Sequence, residues 1–238
     1  MIPPRLRAPL AASGAALLLL LGFPDSLGLW PLRLVADWPD EIGRAVGSLL
    51  FAGRLGPLAL SQATDFQIRG ATLSQQALAN ALGLVAQLAA GLALFWQAER
   101  EGRARLLLLI LAGCTGLAAI LPPLSHGAYE LGAALSMALA GSWPAGWKSA
   151  QERMPELFPS PDVVPRTGLQ FLAGAMVTTP LADLRPSLLS IGRASGPVAI
   201  LEAQSGIPAW VWALLIAALV VTGLVILLRD KPGKVRPA

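Results

Sequence analysis

The chain has 238 residues, of which 55% are hydrophobic and only 13% charged, with a mean hydropathy of +0.62. A water-soluble domain usually carries about twice that charge, so the deficit argues against an aqueous globule and for lipid-facing surface. The net charge of +4 lies in short basic clusters beside apolar runs, which fits topology and anionic headgroups better than nucleic acid, and no nucleic-acid partner is expected.

Uncharged windows follow one another along the chain and predict an all-α, polytopic integral membrane protein in a single membrane domain of about six transmembrane helices. The first, 8–23, follows Arg5 and Arg7 and has the length of a signal-peptide core. No convincing small-x-small cleavage site follows its apolar core before Pro24, so it reads as an uncleaved first helix. The connection 24–75 is too long for a turn. Within it, 42–61 is apolar but broken by Arg44, Arg54 and Pro57. Charges at that spacing disfavour a crossing and predict an interfacial or re-entrant helix on the outer face, with Trp30 and Trp38 at headgroup level.

Window 76–98 ends at Trp96 before Glu99 and Arg100; 106–125 is Leu-rich; 131–147 ends in Trp143 and Trp147 before Lys148. The Pro-rich stretch 154–165 reads as a stiff inner connector. Window 167–182 is short and contains Pro180, whereas 209–228 is flanked by Trp210, Trp212 and a basic tail. Six crossings with both termini cytoplasmic place twelve of the 18 Lys and Arg inside. The six left outside, Arg33, Arg44, Arg54, Arg69, Arg185 and Arg193, lie in long loops, where the positive-inside rule is weak.

Gln76, Asn80, Gly83 and Gln87 recur at intervals of four, three and four, so they share one helix face. Amides in hydrocarbon need partners and glycine admits a close neighbour, so this face is either an interhelical seam or a substrate-facing groove. Gly132, Ser136 and Ala140 form a second stripe, which reads as close packing. His126 and Glu130 have i,i+4 spacing at the outer end of the third window, suited to proton shuttling, to a headgroup, or to an ordinary polar turn. Arg69 and Asp65 lie at the same expected depth, where Arg69 either binds lipid phosphate or snorkels. A lone His and the lone Cys114, inside an apolar run, leave no metal site or disulfide, and no cofactor is expected. Walker A, G-x-S-x-G and H-E-x-x-H motifs are absent and no catalytic set is recognisable, so an integral enzyme acting on lipids ranks last among the readings.

The segment DFQIRG through QQALANALGLVAQLAAG, with LPPLSHGAYELGAALSMALAG, resembles the VanZ-like membrane proteins. Asn80 and Gly83 match the Asn and Gly of the family's first motif, with Gln76 where Asp is usual. Leu121 and Pro122 match the second motif, Glu130 stands for its acid, and Gly141 falls where its last Gly does. The usual Arg is absent, with His126 the nearest candidate. Ala134 and Met137 replace an Asn and a Gly, and the Glu and Gln expected on the preceding helix are missing from CTGLAAIL. The resemblance covers about 65–141 and implies a bacterial cell-envelope protein of the inner membrane. Members are associated with reduced susceptibility to teicoplanin-type glycopeptides.

The expectation is therefore a VanZ-like protein engaging lipid or lipid-linked material at the outer leaflet, through Arg69, Gln76, Asn80, Gln87, His126 and Glu130. An accessory subunit with membrane-protein partners and a small transporter are the alternatives.

Overall fold

The computed structural model describes residues 4–23, 29–54, 71–98, 100, 103–120, 128–142, 163–182, 201–203 and 205–229. Among them every extended element is an α-helix. They are α1 (Pro4–Gly22), α2 (Trp30–Ala52), α3 (Leu73–Ala98), α4 (Arg103–Ala118), α5 (Ala128–Ser142), α6 (Val163–Ala182) and α7 (Ala209–Arg229). Ser74–Ala98 is the one described helix long and apolar enough by itself to cross a membrane. Leu10–Gly22, Leu131–Ser142 and Trp210–Gly223 are shorter apolar runs.

Helix ends follow local chemistry. Thr72 caps α3: its backbone N–H donates to Gln75 Oε1 at 2.8 Å while its Oγ1 accepts from the Gln75 N–H at 3.3 Å, a capping box. Pro31 opens α2, where its missing N–H costs nothing. Gly53, at φ +66, closes α2 with its N–H donating to the Leu49 carbonyl at 3.1 Å.

Of the segment 42–61, expected to be an interfacial or re-entrant helix, residues 42–52 form the second half of α2, which begins at Trp30 and stops at Ala52, and 55–61 lie outside the described residues. The charge that was expected to interrupt it, Arg44, is paired with Asp40 and Glu41 inside the helix, so it does not break the apolar packing. Window 106–125 is helical from Arg103 to Ala118, and window 131–147 from Ala128 to Ser142. The rest of 131–147, with Trp143 and Trp147, and the connector 154–162 lie outside the described residues. Pro180 is accommodated within α6.

α2 and α3 lie antiparallel in a fixed register. Gln87 reaches the Ala36 carbonyl, Gly43 faces Gly83 and Ala86, Gly47 faces Ala79, and Gln75 Nε2 donates to the Phe51 carbonyl at 2.8 Å. From residue 36 to 51 this pairing runs for about 22 Å at 1.5 Å per residue. Other helix pairs also meet at glycine. A Cβ on Gly91 of α3 would lie 2.7 Å from Val177 of α6, and one on Gly174 of α6 would lie 3.0 Å from Ser13 of α1. Close backbone approach over small residues is the packing mode available where the hydrophobic effect cannot drive helices together. On α5 the approach to α4 is made by Gly141 against Leu109. Ser136 of the expected stripe is exposed, its hydroxyl donating back to the Gly132 carbonyl.

Candidate functional site

The first turns of α2 bury Leu34, Val35 and Ala36, but from Asp40 onward the helix is built inside out. Its buried face carries Asp40, Glu41, Arg44 at 8% exposure and Ser48 at 0%, whereas Ile42 is 56% exposed, Val46 46%, Leu49 49% and Leu50 67%. A helix packed on a protein core in water shows the reverse order. On α3 the amides Asn80 and Gln87 are buried beside Leu84, Leu88 and Phe95 while Leu78 and Val85 are exposed, and α5 buries Ala133, Ala134 and Met137 and leaves Leu131, Leu135 and Leu139 as an exposed stripe.

The centre of the buried face is an ionic triad. Arg44 Nη2 donates to Asp40 Oδ2, one turn earlier, and to Glu41 Oε1 at 2.9 Å. Spacings of three and four bring both carboxylates to one guanidinium on one face. The triad sits directly on α3, because a Cβ on Gly83 would fall on Asp40 Oδ1 and lie 2.6 Å from Arg44 Cγ. Gly83 is near the middle of α3, so the charges lie far from both of that helix's ends. Next to the triad, Gln87 Nε2 donates to the Ala36 carbonyl at 2.9 Å and to Asp37 Oδ1 at 3.3 Å. Asn80 is buried one turn to the other side, and Gln170, Thr178 and Thr179 are buried on α6, which also packs on α2. The two threonine hydroxyls donate to the carbonyls four residues back, at 2.7 and 2.8 Å. Such back-bonding satisfies a hydroxyl where water is absent.

The structure brings together only part of the expected site. Asn80 and Gln87 are buried, Gly83 between them faces α2, and Gln87 makes the interhelical bond that the seam reading requires. Gln76 instead donates to the Ala71 carbonyl at 3.3 Å, at the start of α3. Arg69 and His126 lie outside the described residues; Glu130 is on the first turn of α5, with its side chain outside them. Among the described residues no group of His, Cys, Asp or Glu is arranged to hold a metal. Trp38, expected at headgroup level, has its indole Nε1 buried without a hydrogen-bond partner among those residues.

Sequence reasoning missed Asp40, Glu41 and Arg44. The signal was present in DEIGRAVG: an acid pair three and four residues before an arginine, interleaved with a Gly-x-x-x-Gly face. Counting Arg44 as an interruption, without its partners, hid it.

Fold and site together define an all-helical chain with a charged centre buried between two glycine-bearing helices. Compared with known proteins, it matches no family model, no curated protein and no solved structure.

Proposed function

We propose that the chain is a polytopic integral membrane protein of a bacterial plasma membrane and that the Asp40–Glu41–Arg44 centre is where it works, as a carrier of a small polar solute. The observation that carries this is the inverted α2, with charges buried and large aliphatic side chains exposed. If α3 crosses the bilayer, the α2–α3 register sets the triad near mid-depth. Ionisable groups there are costly and typically mark a path for polar cargo. The remaining helices supply the other crossings, six in all if α2 only dips in and seven if it spans.

The test is reconstitution into proteoliposomes and uptake of a panel of labelled amino acids, sugars and inorganic ions. Uptake of one class, lost in Asp40→Asn, supports the carrier. A stably inserted protein that moves none of them overturns it.

A VanZ-like envelope role is the second reading, favoured by Asn80 and Gly83, the matched residues of the first motif, both being buried on α3, with Gly83 against α2. It predicts that Asn80→Ala abolishes any effect of the protein on teicoplanin-type susceptibility while leaving its expression intact. Unchanged susceptibility would sink that reading.

A further inference from the structure

We propose that Arg100 and Arg103, between the end of α3 and the first residue of α4, hold the phosphate of an anionic phospholipid. At this end of the bundle α3 and α5 stop and α4 begins. The Arg100 guanidinium lies 3.6 Å from the centroid of the Trp96 ring, and Arg103 Nη1 donates to Gln97 Oε1 at 2.9 Å. The backbone fixes both: the Arg100 N–H donates to the Gln97 carbonyl at 3.0 Å and the Arg103 N–H to the Arg100 carbonyl at 3.3 Å. Arg105 Nε donates to the Gly141 carbonyl at 2.9 Å and so ties α5 to the same end.

An aromatic face and a neutral amide orient these guanidiniums without cancelling their charge. Each guanidinium has five N–H donors, and the Gln97 bond uses one on Arg103, so donors remain for a phosphate oxygen. Glu99 and Glu101 adjoin Arg100 in the sequence and lie outside the described residues. An indole beside guanidiniums at the end of the long apolar helix matches the level of lipid headgroups. The occupant is therefore a lipid phosphate rather than a soluble one, a choice that rests on the membrane reading above.

Native mass spectrometry of the full chain in detergent, titrated with phosphatidylglycerol or phosphatidylcholine, tests this. Wild type retains phosphatidylglycerol in preference. Arg100→Gln/Arg103→Gln weakens that retention about thirtyfold, at roughly 1 kcal/mol per arginine near an anionic surface. Arg54→Gln, an exposed arginine beside the opposite end of α3, leaves it unchanged. Equal retention by the double variant, or no preference for phosphatidylglycerol, overturns the site. Release of the chain from membranes by alkaline carbonate would instead overturn the membrane reading, so the two failures are distinguishable.

Discussion

Gly83 on α3 leaves vacant the space that the Asp40 carboxylate on α2 fills: a Cβ there would lie on Oδ1 and 2.8 Å from the Asp40 carbonyl oxygen. Both neighbours are held, one by Arg44 and one by the helix backbone, so neither yields cheaply. Gly83→Ala therefore pushes α2 off α3 and costs about 1–3 kcal/mol, the usual range for overpacking. Gly113→Ala meets nothing within 4 Å and gains helix propensity. Thermal unfolding in detergent should rank Gly83→Ala well below wild type and Gly113→Ala at or above it. Equal midpoints for both variants would show that the α2–α3 contact is not made.

Arg44 is the sole described hydrogen-bond donor to both the Asp40 and Glu41 carboxylates. Arg44→Met leaves two buried carboxylates without it, which costs about 3–5 kcal/mol. Replacing all three, Asp40→Leu/Glu41→Leu/Arg44→Met, removes the desolvation penalty with the charges and returns stability to near wild type or above. The comparison separates structure from function. If the triad is the working site, the triple variant inserts and unfolds like wild type yet transports nothing. A triple variant that still transports would move the site elsewhere.

Gln87 joins the helices through the Ala36 carbonyl, and an interhelical hydrogen bond of this kind is worth only about 0.6–1.7 kcal/mol in membranes. Gln87→Leu should therefore lower the unfolding midpoint less than Gly83→Ala does. A larger loss would place Gln87 at the centre of a wider polar network rather than at its edge.

The helical class and most helix positions were legible because runs of uncharged residues report length and solvent directly. Windows 76–98 and 209–228 fall within α3 and α7 to within a few residues. The Asn80, Gly83, Gln87 face was legible for the same reason, since spacing along one helix is written in the sequence. α2 was not, because its charges look forbidding one at a time. Arg44 cancels against Asp40 and Glu41 only after the helix forms, and the cleft that receives them exists only because residue 83 of another helix is glycine. Composition windows see neither pairing nor partners. On α5 the stripe was displaced by one residue, since Gly141 rather than Ala140 makes the approach to α4.

The inverted face of α2 makes a prediction about its surroundings. Spin labels on Ile42→Cys, Val46→Cys and Leu50→Cys, with Cys114→Ala as background, should collide with dissolved oxygen and be shielded from a water-soluble nickel chelate. Labels open to the chelate at all three positions would mean that water covers that face, and the membrane reading would fail with it.

Whether α2 crosses decides where the N-terminus lies. If 42–61 only dips into the outer face, Phe23 and Arg54 emerge on the same side. If α2 crosses, as its register along α3 favours, they emerge on opposite sides and the termini separate. Everything from α3 onward keeps its sidedness. Arg33 joins the inner set and Arg5 and Arg7 leave it, so eleven basic residues stay inside against six outside, with Arg44 within the bundle. That balance still satisfies the positive-inside rule, dominated by the 100–105 cluster and the C-terminal tail. Both reporter positions are exposed, Phe23 at 61%. In Cys114→Ala cells treated with a membrane-impermeant maleimide, Arg54→Cys should label from outside and Phe23→Cys should label only after the membrane is opened. Labelling of both in intact cells would return α2 to a re-entrant segment, leave six crossings, and lift the buried triad from mid-depth toward the outer leaflet.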